Sequence, residues 1–257
     1  MKKYASFDLT GKVAVIFGGT RGIGRAIALG LAQYGAKIAP ISRTLKNSEK
    51  VAKEASSWGV EAVSAAIDVT DYERVKSFRD ELLEKFGHID ILVNSQGAER
   101  RGTTIELSLE NWREVLKVQL ESVFMTCKIF GEVMVKQKSG KVINIASMGS
   151  FRGIAGSPVY CACKGGVNQL TKVCALEWAK DNVQVNAIAP GWFRTKLTEP
   201  VFSNIETANA IISKIPVGKP GNCEELAGAA IFLASQASDY TTGTTMIVDG
   251  GFMALGI

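Results

Sequence analysis

Val13-Ala14-Val15-Ile16-Phe17 runs without a break into Gly18-Gly19-Thr20-Arg21-Gly22-Ile23-Gly24, after which apolar residues recur at Ile23, Ile27 and Leu31. Five consecutive apolar residues suit a strand buried on both faces, whereas a spacing of four suits one stripe of a helix. Between them, Gly18, Gly22 and Gly24 permit a tight turn, close approach of backbone to a pyrophosphate, and close helix–strand packing. A helix that opens in such a turn offers free N–H groups and its positive dipole end to an anion. Thr20, Arg21 and Ile23 complete the turn. A glycine pattern alone is a weak signal. Between a first strand and a first helix, it reads as a dinucleotide-binding turn.

The alternation continues outward from that turn. Further short apolar runs occupy Lys37–Ile41, Ala62–Ile67, Ile89–Asn94, Lys141–Ala146, Val183–Ala189 and Thr245–Val248, with helical patterns between them. Strand–helix repetition of this kind predicts a doubly wound α/β architecture, with a predominantly parallel seven-stranded sheet and helices on both faces. Gly35 stands where a left-handed helix cap is expected, and Thr70-x-x-Glu73 reads as a capping box. No linker, repeat or low-complexity tract divides the chain, so residues 1–257 are expected to form a single domain. Ligands of such sheets bind beyond the carboxyl ends of the strands.

Composition narrows the function classes. At 257 residues and 46% hydrophobic, the chain can bury a core, which excludes a disordered protein. A net charge of +5, from 30 basic and 25 acidic residues, is too mild for a nucleic-acid signature. No stretch has the roughly 18 apolar residues of a membrane span, and the basic start, MKKYASFDLTGK, lacks the apolar region of a secretory signal. Five cysteines without a C-x-x-C pair argue against a disulfide framework or a zinc site and fit reduced thiols in a cytoplasm. No metal is expected. The single histidine, His88, precedes a strand and is expected at the surface.

The spacing G-x-x-x-G-x-G, with Tyr160-Cys161-Ala162-Cys163-Lys164, resembles the short-chain dehydrogenase/reductase family. Further matches extend over nearly the whole chain. They are Asp68-Val69 after strand three, Asn94-Ser95-Gln96-Gly97 after strand four, Ser147 thirteen residues before Tyr160, Pro190-Gly191 with Thr195 after strand six, and Val248-Asp249-Gly250-Gly251. The resemblance implies a Rossmann-type domain that transfers a hydride between nicotinamide and a carbonyl or secondary alcohol. It also implies that Asp68 and Val69 lie beside the adenine, Asn94 and Gly97 along the cofactor wall, and Pro190, Gly191 and Thr195 at the carboxamide. Two departures lie close to that chemistry. Ser95-Gln96 replaces the usual Asn-Ala, and Gln119 stands where the family has an asparagine in a proton relay. Phe17, where many members have threonine, leaves the chemistry untouched.

The residues support a mechanism independently. Tyr160 and Lys164 are four apart on a predicted helix and so share a face. A phenol of pKa about 10 is a poor catalyst at neutral pH, and a nearby ammonium is expected to lower it. Tyr160 would then protonate a carbonyl oxygen as hydride arrives, or take a proton from an alcohol in reverse. Ser147 would donate a hydrogen bond to that oxygen. By resemblance, Lys164 also holds the nicotinamide ribose.

An NAD-preferring site carries an acid about 20 residues past the glycines. Here no acid occurs between Tyr34 and Glu49: Ser42 takes its place and Arg43 follows. Arg43 and Arg21 suit a 2′-phosphate, so NADP is expected over NAD. The segment Trp192 to Phe202, together with Arg100-Arg101 and Ala146-Ser147-Met148, resembles gluconate 5-dehydrogenases and related sugar-acid or polyol reductases. Arg100 or Arg101 could pair with a substrate carboxylate, and Met148, Trp192 and Phe193 are candidates for the pocket wall. Two other readings remain: a 3-oxoacyl-thioester reductase, whose basic residues meet an acidic carrier, and a non-catalytic NADP-binding protein. By resemblance the chain is a homotetramer, with the apolar segment Phe252–Ile257 at an interface.

Overall fold

The computed structural model describes residues 4–255. Seven parallel strands lie in the order β3-β2-β1-β4-β5-β6-β7: β1 Val13–Phe17, β2 Lys37–Ser42, β3 Ala65–Ala66, β4 Ile91–Asn94, β5 Gly140–Ile145, β6 Val183–Pro190 and β7 Thr245–Val248. The chain winds outward from β1 to β3, then returns to place β4 against the other side of β1. That reversal opens a crevice beyond Phe17 and Asn94, the place where a doubly wound sheet binds its ligand. The doubly wound α/β expectation therefore holds.

The two faces of the sheet sort by alternation. Ala14 and Ile16 of β1 join one core with Ile27 and Leu31 of α1 (Gly22–Gln33) and Ile231 of α9 (Ala227–Ala234). Val15 and Phe17 join the other, with Phe78 of α3 (Tyr72–Phe86) and Phe130 of α5 (Ser122–Gln137). A period of two in a strand sends neighbours to opposite faces. Phe17 is fully buried edge-on to Phe130, with ring centroids 5.7 Å apart. Burial of one such side chain is worth about 1.5–3 kcal/mol. Its ring therefore serves the core, as expected of a residue remote from the chemistry.

Two local expectations need correction. The third strand was expected over 62–67, but only Ala65–Ala66 forms a ladder, with an isolated bridge at Ala62. Pro40 in β2 has no N–H to donate, and the Ser48 hydroxyl fills the gap, donating to the Pro40 carbonyl and accepting from the Ala65 N–H. The capping box at Thr70 is also displaced. Asp71 caps α3, accepting from the Arg74 N–H at 3.0 Å, because Thr70 is bound to Asp68 through both its N–H and its hydroxyl. Gly35 does adopt the left-handed conformation, with φ +97°. His88 is half-exposed, its Nε2 3.2 Å from the Gly11 carbonyl.

The remaining helices are α2 Leu45–Ser56, α4 Leu109–Leu116, α6 Pro158–Trp178, α7 Glu199–Phe202 and α8 Ile205–Ile212. Between α4 and α5 the chain makes one π turn, Lys117–Glu121, in which the Ser122 N–H reaches back to the Lys117 carbonyl. Such turns occur often at functional sites. Gln119 lies within this one.

Candidate active site

The phosphate turn follows β1 as the spacing predicts. Gly18 has φ +72°, and a Cβ there would stand 2.6 Å from the Ser95 carbonyl, so only glycine lets the turn meet the loop after β4. Gly24 is confined differently: a Cβ there would strike the carbonyl of Gly18, across the turn. Arg21 is the N-cap of α1, offers no side-chain cap, and no acid occupies the first helical turn. The first N–H groups of α1 are thus left for an anion. Thr195, from the loop after β6, faces Gly22 across the turn. These features fit a dinucleotide pyrophosphate.

At the adenosine end, Asp68 accepts from Thr70, which together with Arg43 and Lys117 holds its carboxyl below the usual range. Arg21 and Arg43 are exposed, and among the described residues neither forms an ion pair with an acid. Ser42 folds its hydroxyl onto the Thr44 carbonyl at 2.9 Å. Lys117 was not anticipated. It lies far away in sequence and joins this region only because β4 returns beside β1.

The loop after β4 behaves less simply. Both ends of the Asn94 amide are spent inside the protein: Nδ2 donates to Asn144 at 2.8 Å, and Oδ1 accepts from Thr126 at 2.8 Å. Only its backbone is left for a cofactor. Gln96 donates to Ser122, leaving its buried Oε1 unpartnered. Gln119 is buried, and its Nε2 donates to the Ala98 carbonyl at 2.7 Å. Its Oε1 is a second buried atom without a partner. The longer glutamine stem therefore ties down the β4 loop beside Gly97, leaving one acceptor for a water or ligand group.

The proton-transfer group assembles on α6. Ser147, two residues past the end of β5, is buried, accepts from the Gly149 N–H at 3.1 Å, and lies close enough to the Tyr160 phenol to oppose the rise in its pKa. Lys164 lies one turn along α6 on the same face, with Nζ 5.8 Å from the centre of the Tyr160 ring. The expected electrostatics are reversed. Burial pushes the Tyr160 phenol up to about 12; the Ser147 hydrogen bond opposes this, Glu99 and Cys161 reinforce it, and Arg101 opposes it more weakly. The Lys164 ammonium does not reach the phenol. It donates to the Ile145 carbonyl at 2.6 Å, and burial lowers it to about 8. Tyr160 consequently holds its proton throughout the neutral range, the form a carbonyl oxygen needs.

Around the mouth, Arg100 is exposed and bound to Glu114 at 2.8 Å. Arg101 instead points its Nε to Glu99 at 3.3 Å, and its charge is felt at Tyr160. Met148 is buried, and Trp192 is partly buried with its Nε1 unpartnered. Trp192 also stacks edge-on with Phe202 of α7, centroids 6.2 Å apart. Phe193 is not a pocket residue: it packs in the core, where Gly221 makes room for its ring.

Comparison with known proteins agrees with this geometry. The family model described as enoyl-(acyl carrier protein) reductase matches residues 18–253. The chain is 39% identical over 251 residues to 2-dehydro-3-deoxy-D-gluconate 5-dehydrogenase of Escherichia coli strain K12, covering 97% of this chain and 98% of that protein. The chain belongs to the short-chain dehydrogenase/reductase family. It is also 36% identical to the 5-keto-D-gluconate 5-reductase of the same organism, over 96% of this chain and 97% of the relative. Among solved structures, gluconate 5-dehydrogenase from Burkholderia cenocepacia J2315, in complex with NADP and tartrate, superposes with a TM-score of 0.94. It is 36% identical, and the match covers 97% of this chain and 98% of that one. This family member is a nicotinamide-dependent dehydrogenase/reductase acting on CH–OH groups.

Proposed function

We propose that this short-chain dehydrogenase/reductase interconverts a keto sugar acid and its secondary alcohol with NADP(H), using Tyr160 as proton donor and acceptor. The observation that carries the reading is the meeting of Ser147, from the segment after β5, with Tyr160 and Lys164 of α6, with Arg101 at the rim. Bound nicotinamide supplies or accepts the hydride. Ser147 orients the substrate oxygen, and Tyr160 delivers the proton to it. Lys164, poised near 8, returns a proton to the site from within. Gln119, with its free Oε1, serves the same exchange through water.

Preference for NADP rests on Arg21 and Arg43 and on the missing acid after β2. The cofactor residues are Gly18, Thr20, Arg21, Gly22, Ile23, Gly24, Ser42, Arg43, Asp68, Val69, the backbone from Asn94 to Gly97, Tyr160, Lys164, Pro190, Gly191 and Thr195. The sugar-acid class is supported by the relatives named above, which act on gluconate derivatives, and by the basic rim. Of the two rim arginines, Arg101 is the better counter-ion, because Arg100 is engaged by Glu114. Residues 1–257 act as one cofactor-binding and catalytic domain. Exposed apolar side chains on α5 and α6 (Phe124, Val173, Leu176) support a homo-oligomer, a tetramer by family resemblance. Leu255 is a further exposed apolar side chain, in the C-terminal segment expected at an interface; Gly256 and Ile257 lie outside the described residues. Free thiols at all five cysteines support a cytoplasmic location.

The deciding experiment follows NADPH absorbance with 5-keto-D-gluconate and with an acetoacetyl thioester. Turnover of the keto acid with at least tenfold higher kcat/KM supports the reading. The reverse order assigns the protein to acyl-thioester reduction, and no turnover of either with tight NADPH binding assigns it to cofactor binding alone.

A further inference from the structure

Glu99 is an unusual residue to find at the mouth of this site. Its side chain is only 9% exposed, a costly position for a carboxylate unless it is firmly paired. Two partners hold it. The Ser157 hydroxyl donates to Glu99 Oε1 at 2.9 Å, and Arg101 Nε lies 3.3 Å from the same oxygen. Ser157 occupies the N-cap of α6 and makes no side-chain cap there; its hydroxyl is turned toward Glu99 instead. The backbone adds a second tie between the two loops, from the Gly102 N–H to the Gly156 carbonyl at 3.0 Å.

The consequence for Arg101 is directional. A guanidinium presents five N–H donors, and the edge formed by its two Nη groups matches a carboxylate bidentately. Glu99 takes the Nε corner, and among the described residues the Nη edge meets no acid. Arg101 is half-exposed, so its long side chain would otherwise sample many rotamers. Ser157 stands three residues before Tyr160 at the start of α6, so its bond to Glu99 ties the pair to the end of the helix that carries the phenol.

We propose that Glu99 is a positioning residue: anchored by Ser157 to the start of α6, it aims the Nη edge of Arg101 at the carboxylate end of the substrate and so sets selectivity for acids. This rests on the sugar-acid reading above. A free arginine attracts any anion, whereas one held at a fixed distance from Tyr160 also measures the span between carboxylate and reacting carbonyl. Its charge is partly cancelled by Glu99, so the contact favours fit over simple attraction.

The test compares 5-keto-D-gluconate with its uncharged amide, in wild type, Glu99→Gln, Arg101→Ala and the double variant. Glu99→Gln keeps an acceptor for Ser157 but releases Arg101. It should raise KM for the acid about tenfold, leave kcat within about twofold, and leave KM for the amide unchanged. In the Arg101→Ala background it should add nothing, because its effect passes through Arg101. Equal changes for acid and amide, or fully additive effects, would overturn the proposal. Should Glu99→Gln melt below the assay temperature, Ser157→Ala takes its place with the same selective rise in KM expected, and an unselective change refutes positioning. If wild type itself does not distinguish acid from amide, the sugar-acid reading fails. If wild type distinguishes them and Glu99→Gln does so equally, only the role of Glu99 fails.

Discussion

Replacing Arg43 by Asp tests the cofactor assignment most directly. Arg43 is exposed beyond β2, forms no ion pair with an acid among the described residues, and lies near enough to help depress Asp68. Its guanidinium is therefore free to meet a 2′-phosphate. Loss of one charge-assisted contact costs about 1.5–3 kcal/mol. An introduced carboxylate adds repulsion of about 1 kcal/mol per unit charge at about 4 Å in a water-like dielectric, reduced by salt. Together these give about 2–4 kcal/mol, a thirty- to thousandfold fall in kcat/KM for NADPH. Against NADH the new carboxylate faces a ribose hydroxyl instead, and one hydrogen bond of about 0.5–1.5 kcal/mol raises kcat/KM up to about tenfold. Initial rates with each coenzyme at fixed keto-acid concentration give the ratio, and NADPH fluorescence titration gives the binding part separately. The fall should shrink between low and high salt. A wild type that already prefers NADH, or a ratio that moves less than about threefold, refutes the reasoning.

Four further outcomes follow from the geometry. Tyr160→Phe should remove at least about 99% of turnover while NADPH binding survives, since the transferable proton is lost; a near-normal rate refutes its role. Lys164 is held near 8 against an unfolded value of 10.5, so the unfolded chain binds more protons between those values. Stability from this group is therefore present above pH 10.5 and lost as pH falls through 8, an effect on the order of 3 kcal/mol. The difference in thermal melts, wild type minus Lys164→Met, should rise from pH 8 to 10, and a flat difference contradicts the burial argument. Asn94→Ala strips partners from Thr126 and Asn144, costing about 2–3 kcal/mol and about 4–12 °C in Tm; a shift below about 2 °C contradicts it. Gln119→Ala should lower kcat several-fold at unchanged NADPH affinity, and full turnover would reduce Gln119 to a tie for the β4 loop.

Much of this molecule is written in short-range pattern. The apolar run of β1, the glycines after it and the stripe of α1 determine a strand–turn–helix because each depends only on local sterics and side-chain period. Seven such runs required a parallel sheet, and the four-residue step from Tyr160 to Lys164 required a shared helix face. Where a single residue altered local bonding, the pattern misled. Pro40 cannot donate, so β3 shrank to two residues, and Asp68 captured Thr70, moving the cap to Asp71. Charges and burial were decided only by the tertiary structure, because they depend on what chain return brings together. Spacing put Lys164 within reach of Tyr160, yet the Ile145 carbonyl from β5 took its ammonium, and burial moved the phenol upward. The sequence offered Arg100 and Arg101 as equals. Glu114 from one helix and Glu99 held by the start of another gave them different partners. Hydrophobic period is a property of neighbours along the chain, whereas a pKa or an ion pair belongs to neighbours in space.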